Sequence, residues 1–411
     1  MKHSIVAPGL PSSPPIPGPL PKKGDPLAAK IHDVIALEGP MTFAQFMAEA
    51  LYHPELGYYS CGKIRIGLGG DFYTSVSIGP LFGQLLARQV AQVWERLGSP
   101  NSFQLVEQGA SHGELARDIL CALRELAPEC FAATELYLVE PFSELQARQK
   151  ATLSEIPNIH WISDLEALPA FRGVHLSNEL ADAFPVHRVQ WKNGHWQELH
   201  VQTLGTEFEF TPLAPSSPEL EAALTQLPRD LPDGYTTEVS LAASKWIQLL
   251  AERLTEGIVL MIDYGYPRAE YYRPERSSGT LTAYARHQKS GQILYAPGAQ
   301  DLTAHVEFTS LVEAAESAGL KLHGFCDQHH FLVGLSRLHF SDGVPTSAAA
   351  EKELRAFKTL MHPSLMGQSF KALCLEKFKT PQPPFAGFQF AAFSREKLGM
   401  PRIQPPHQPQ L

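Results

Sequence analysis

From residue 103 to residue 180 the chain alternates between short apolar runs and helix-period stretches: "FQLVE", a helix, "ELYLVE", a helix, "NIHWI", then "GVHLSNEL". Strands joined by helix-sized connections pair in parallel, because a parallel crossover cannot be made by a tight turn. The pattern resumes with the helix "SLAASKWIQLLAERL", the run "GIVLMIDYG" and late runs near "LKLHGF" and "SFKALCL". This spacing predicts an α/β fold: a mostly parallel, Rossmann-like sheet.

The flanks read differently. Residues 1–24 are proline-rich and expected to be unpacked and disordered. A helical N-terminal cap is expected over 25–98. Its first helix has Leu27, Ile31, Val34 and Ile35 on one face, and its second follows Thr42, a suitable N-cap. It continues through a glycine-rich stretch, "GKIRIGLGGDFYTS", into a long amphipathic helix, "PLFGQLLARQVAQVWERLG". The sheet domain is assigned to 99–185 and 236–379. Between them, 186–235 reads as an insertion. Two alternating runs flank Asn193-Gly194, a two-residue hairpin signal, and a polar helix follows. Residues 380–411 form a second proline-rich tail, also expected to be unpacked.

Charge and cysteine usage narrow the function. A formal net charge of -9 gains nothing from releasing counterions off a phosphate backbone, so a nucleic-acid partner is not expected. A cationic partner is easier to accommodate. The cysteines at 61, 121, 130, 326 and 374 show no CxxC pair, which argues against a disulfide framework or a zinc site. No metal is expected at His329 and His330 either, since no second ligand cluster is near them in sequence. The N-terminus has neither an apolar core nor an arginine before residue 27, and no apolar run approaches the roughly 18 residues of a membrane span. A cytoplasmic protein is therefore expected, and an oligomer is left open.

Polar groups gather where the apolar runs stop. Glu107 ends the first run, ahead of a turn carrying Gly109, Ser111 and Gly113. Such a strand-to-helix turn can receive a carboxylate or phosphate on its amides, or it can be an ordinary connection. Glu140 ends the second run, where an acid can hold ribose hydroxyls or simply face solvent. Asp164 follows the third and can accept from an adenine amine or cap a helix. Asn178 and Glu179 end the fourth, with Asp182 three positions on. They can hold an amine or guanidinium, or cap a following helix. Asp263, Tyr264 and Tyr266 repeat the pattern. Asp301, Thr303 and His305 stand close together, although Thr303 and Glu307 also fit a capped helix start. Tyr52, Tyr58 and Tyr59 can line a pocket, but aromatic residues more often belong to a core.

Eight segments carry a resemblance: "EGPMTFAQFMAEALYHPELGYYS", "GDFYTSVSIGPLFGQLLA", "LVEQGASHGELARDIL", "SNELADAFPVHR", "IDYGY", "GTLTAYARH", "PGAQDLTAHVEFTSL" and "LMGQSFKAL". In this order, over roughly residues 25–375, the chain resembles the MidA family of class I S-adenosylmethionine-dependent methyltransferases. That family includes a mitochondrial complex I assembly factor that methylates a protein arginine. The resemblance implies a Rossmann-like class I methyltransferase sheet, S-adenosyl-L-methionine as cofactor, and an arginine of a partner protein, such as a respiratory-complex subunit, as substrate.

The resemblance also assigns residues. Glu107, Gly109 and Gly113 match the cofactor loop, and Glu140 the ribose acid. Gly70, Asp71, Phe72 and Thr74 match a segment that covers the cofactor. Asn178 and Glu179 match the target-side pair, and Asp301 and His305 its far wall. Glu179 with Asp182 or Asp301 would neutralise a guanidinium, with His305 as a proton relay. Two positions depart from the pattern: Ser111 replaces the middle glycine of the loop, and Ser77 replaces an acid. Those departures keep a second reading open, a non-catalytic assembly or scaffolding protein on a degenerate methyltransferase fold. A nicotinamide-dependent dehydrogenase is disfavoured, because the first turn lacks GxGxxG spacing and no second mononucleotide half is evident.

Overall fold

The structure is a computed structural model that describes residues 26–60, 75–285, 288–339, 348–362 and 366–401. Its central sheet is built from β1 (Phe103–Gln108), β2 (Thr134–Val139), β3 (Ile159–Ile162), β4 (Phe171–Asn178), β5 (Leu254–Tyr266), β6 (Lys321–Asp327) and β7 (Phe370–Lys377). They lie in the order β6-β7-β5-β4-β1-β2-β3, and the short strand Val306–Glu307 pairs with the end of β5. β3, β2, β1, β4 and β5 run parallel. β7 inserts antiparallel between β5 and β6. The expected α/β architecture is present.

Both faces of the sheet are covered, so successive residues of a strand enter opposite cores. Ile258, Leu260 and Ile262 of β5 join one apolar cluster, with helices α3 (Leu81–Arg96) and α4 (Glu114–Leu126). Val259 and Met261 join the other, with the helices Leu241–Arg253 and Phe308–Ser317. α3 was assigned by sequence to the N-terminal cap. It packs instead on the sheet, because Leu85, Leu86 and Val90 are apolar at the spacing of its inward face.

The cap proper is α1 (Pro26–Glu38) and α2 (Phe43–Tyr52). Thr42 caps α2 as expected, in a reciprocal box with Gln45. Their apolar faces pack on Val201 of the insertion and on Ala283 and Leu302. The insertion carries the strands His187–Lys192, His195–Leu204 and Glu207–Leu213 and the helix Pro218–Leu224, and its sheet extends to Thr236–Val239. Asn193 and Gly194 both have positive φ, at 51° and 78°, as a two-residue hairpin turn requires. A small sheet of Thr282–Ala285, Gln288–Ser290 and Asp301–Thr303 was not legible in the sequence. Among the described residues no helix is long and apolar enough to cross a membrane.

The C-terminal expectation needs correction. Residues 380–401 are not an unpacked tail: Phe385 and Leu398 are fully buried, and Phe388 nearly so. Proline content suggested an open coil, but the aromatics between the prolines supply apolar area that the core accepts. Gln92 Oε1 and Gln89 Oε1 accept from the Ala386 and Gly387 amides at 2.8 and 3.1 Å, and the Arg96 guanidinium stacks on Phe385 at 4.0 Å. Phe385→Ala should therefore cost about 3–5 kcal/mol in urea unfolding. A loss below about 1 kcal/mol would mean that this segment is not part of the cooperative core.

Candidate active site

The carboxyl ends of β1, β2, β4 and β5 open on one cavity of about 790 Å³. That is where ligands meet open α/β sheets, and the volume is that of a cofactor-sized pocket. At the end of β1, Gly109 has φ +76°, Ser111 +48° and Gly113 +87°, and Gly113 caps α4 in the left-handed region. The positive φ at Gly109 favours glycine, and a β-carbon there would also press on Leu180 Cδ1 at 3.0 Å. Ser111 adopts a conformation that costs an L-residue about 1–2 kcal/mol. This explains physically why glycine suits the middle of such a turn. Glu107 is buried at the strand end, its Oε2 without a partner among the described residues. Burial, with Glu114 and Asp118 nearby, pushes its carboxyl up to about 8.

Gln149, which the sequence reading did not single out, ties this loop to the next strand. It is wholly buried, in the helix Ser143–Thr152. Its Nε2 donates to the Ser111 carbonyl at 2.9 Å and to Glu140 Oε2 at 3.0 Å. Its Oε1 accepts from Trp161 Nε1 at 3.1 Å. Glu140 sits directly after β2, and its Oε1 accepts from the Phe142 amide at 3.0 Å. Burial raises its carboxyl to about 7, against the pull of those hydrogen bonds. The strained loop and the second-strand acid are thus held by one amide side chain. A helix-interior glutamine gives no sequence signal of such a role.

A second group of acids follows β4. Glu179 has φ +55°, a strained conformation for a side chain with a β-carbon. Its amide donates to the Ile262 carbonyl at 2.9 Å. The Asp263 carboxylate at the end of β5 accepts from the Leu180, Ala181 and Tyr264 amides at 3.1, 2.8 and 2.8 Å. Asp263 therefore secures the turn that aims Glu179 at the cavity. Glu179 accepts from Asn178 Nδ2 at 3.1 Å and from the Tyr264 hydroxyl at 3.4 Å. Burial, then the Asp263 charge, raises Glu179 to about 8, and burial raises Asp263 to about 7. Asp182 is pushed well up by burial and by Asp263, Asp301 and Glu179. No described lysine or arginine makes an ion pair with Glu107, Glu140, Glu179 or Asp182.

The opposing elements complete the lining. Tyr59 donates to Asp301 Oδ1 at 2.8 Å and Tyr52 to the Ala183 carbonyl at 2.8 Å, with the two rings stacked at 5.5 Å. Tyr52, Tyr58 and Tyr59 all line the cavity, as do Ser77, Ser111, Asn178, Asp301, Thr303 and His305. Thr303 lies in a strand, not in a helix start, and Glu307 is the residue that caps the following helix. His305 Nδ1 has no partner among the described residues, and burial followed by Arg276, Lys289 and Lys371 lowers the ring to about 4.

Asp164 is not brought to the cavity. It is exposed, and its carboxylate accepts from Ser163 Oγ at 2.7 Å and the Ala167 amide at 2.8 Å. It closes a local turn and caps no helix, since none lies between β3 and β4 among the described residues, and it stands apart from the cavity lining where an adenine contact was expected. Gly70, Asp71, Phe72 and Thr74 lie outside the described residues. The residues present fit an adenosyl amino-acid cofactor: a bare backbone at Gly109, buried acceptors on Glu107 and Asn178 that have no partner among the described residues, and a second-strand acid facing a large cavity.

Residues 85–326 match a family described as "Putative S-adenosyl-L-methionine-dependent methyltransferase". The human protein arginine methyltransferase NDUFAF7, mitochondrial, is 32% identical over 370 residues, which are 82% of this chain and 80% of that one. Its Drosophila melanogaster homolog is 30% identical over 381 residues, 85% of this chain and 84% of the other. A Burkholderia thailandensis crystal structure bound to S-adenosyl-homocysteine superposes with a TM-score of 0.80 at 32% identity, covering 91% of this chain and 98% of that one. The cytoplasmic expectation is overturned by these relatives, which are named mitochondrial. It had rested on the composition of the first residues, which says nothing of how such a fold is used.

Gln149→Leu tests the network just described. It should fold yet bind S-adenosyl-homocysteine at least ten-fold more weakly by calorimetry, the size of one or two buried hydrogen bonds at about 1–1.5 kcal/mol each. Unchanged affinity would mean that the loop and Glu140 hold their places without it.

Proposed function

This chain belongs to a family of S-adenosyl-L-methionine-dependent methyltransferases, and on that premise we propose that it methylates an arginine of a partner protein. The observation that carries the reading is the cluster of Glu179, Asp182 and Asp301 lining the same cavity as the Gly109–Gly113 turn. The relatives named protein arginine methyltransferases support it. A respiratory-complex subunit is the partner that the family resemblance favours.

The residues divide the work by position. Glu107, Gly109, Ser111, Gly113 and Glu140 hold the cofactor, with Gly70, Asp71, Phe72 and Thr74 proposed to cover it. When bound, S-adenosyl-L-methionine supplies an electrophilic methyl group on a sulfonium centre. A guanidinium is protonated and delocalised, hence a poor nucleophile. Acids on one side of it draw its positive charge toward them and leave electron density on the attacking nitrogen. Asp182 and Asp301 bind and orient the cation, Asn178 orients Glu179, and Glu179 takes the proton released on transfer. A carboxyl near 8 is a strong enough acceptor for that duty once it is ionised, whereas His305 near 4 is a weak acceptor. His305 therefore serves better as a neutral wall than as the relay that the sequence suggested. Enclosure by Tyr52, Tyr59 and Tyr264 keeps water from the reacting groups.

The scaffold reading is set aside, since the Burkholderia relative binds S-adenosyl-homocysteine and Ser111 leaves the cavity here open. A dehydrogenase is set aside because an antiparallel β7 occupies the place of a second mononucleotide half.

Mass spectrometry of cell extract incubated with labelled cofactor should find methylarginine only when the protein is added; label confined to other residues would end this reading. Glu179→Gln should retain S-adenosyl-homocysteine affinity within about three-fold and lose at least 100-fold in transfer. Equal loss of both would remove Glu179 from catalysis. The pH profile has a definite sign. An acid with a raised pKa is neutral below that value, so kcat/KM should climb to a plateau above about pH 8 as Glu179 ionises. Glu179→Gln should flatten that rise.

A further inference from the structure

A second cavity, of about 390 Å³, adjoins the first. Tyr264, Tyr284 and His305 line both, so these three side chains form a partition between them. The cofactor turn contributes nothing to the second cavity, and the methyl-transfer chemistry above leaves it without a use. On its own side it is walled by Tyr266 and Phe370, with Ser369 exposed at the rim and Thr359 also lining it. Tyr264 lies 4.0 Å from Phe370, ring to ring, and Tyr266 5.2 Å from His305.

Those walls suit a cation in transit. Aromatic faces attract guanidinium groups; the Tyr266 ring is already covered by the Arg276 guanidinium at 4.0 Å, so the tyrosines for an incoming cation are Tyr264 and Tyr284 at the partition. His305 is neutral and adds no positive charge of its own. On the other side of the partition are the acids. The Tyr264 hydroxyl donates to Glu179, and the Tyr284 hydroxyl is raised by burial and by the charges of Asp182 and Asp301. A polypeptide arginine has the shape for this arrangement: a long unbranched stem with a planar cation at its end, and a bulky main chain that must stay outside.

We propose that the second cavity receives the main chain on either side of the target arginine, whose side chain crosses between Tyr264, Tyr284 and His305 to reach Glu179, Asp182 and Asp301. This rests on the arginine reading. It places the protein substrate on the Ser369 side, against the helix Ala348–Met361 and the start of β7.

Ser369→Trp and, separately, Thr359→Trp fill the rim without touching the acids or the cofactor turn. Each full-length variant is compared with the parent in two measurements: calorimetry with S-adenosyl-homocysteine, and methylarginine formed in cell extract with labelled cofactor. Expected are unchanged cofactor affinity and at least a ten-fold drop in methylarginine for both variants. Either variant that keeps both its affinity and its methylarginine yield within two-fold overturns the assignment while leaving the arginine reading intact. A parent that labels protein without forming methylarginine overturns the arginine reading, and the assignment with it. Two positions are used so that a folding defect at one, seen as lost cofactor affinity, leaves the other to decide.

Discussion

Burying carboxylates at the carboxyl ends of parallel strands is the constraint around which the rest of this molecule is arranged. Glu107 and Glu140 stand at the ends of two strands and Glu179 and Asp182 follow a third, all lining one cavity, while Asp263, buried near the end of a fourth strand, holds the turn behind them. Each is drawn toward its neutral form by desolvation, and Glu107, Glu179 and Asp182 also by acidic neighbours. A site in that state is poised for positive charge and hydrogen-bond donors, which a sulfonium, ribose hydroxyls and a guanidinium all supply.

The scaffold meets the cost of that arrangement with backbone amides and one glutamine. Asp263 accepts three main-chain N–H groups and so keeps the β4 turn closed around Glu179, whose left-handed backbone would otherwise relax. Gln149 plays the matching part for Ser111 and Glu140. The cap and the insertion contribute differently. α1 and α2 pack on the insertion sheet and on the small Thr282–Asp301 sheet, and this brings Tyr52 and Tyr59 over Ala183 and Asp301. Segments hundreds of residues apart in sequence thereby close one chamber.

The sheet and its strand-end acids were legible because each rests on local pattern: an apolar run, then a carboxylate, then a helix. Glu107, Glu140 and Glu179 follow from that logic, and the Asn193-Gly194 hairpin from an equally local signal, a two-residue turn between alternating runs. Gln149 was hidden because its partners are set by how a helix folds back over a loop 38 residues earlier, which no period in the sequence encodes. Asp164 shows the opposite failure. It has the right place after a strand, but β3 is a short edge strand and the turn after it faces solvent. The segment from Pro381 to Leu398 misled through composition, since proline content outweighed Phe385 and Phe388, which the core takes up. Tyr52, Tyr58 and Tyr59 were ambiguous because a pocket wall and a core select the same side chains.

Proton counting on ligand binding reaches the central constraint most directly. S-adenosyl-L-methionine titrated calorimetrically at pH 6.5, in buffers of different ionisation enthalpy, reports protons exchanged per cofactor bound. Carboxyls raised to about 7–8 hold protons at that pH and should lose them as the cofactor supplies its cation and donors. Net proton release is therefore the predicted result; an exchange of zero, or net uptake, would contradict an acid cluster held neutral by burial.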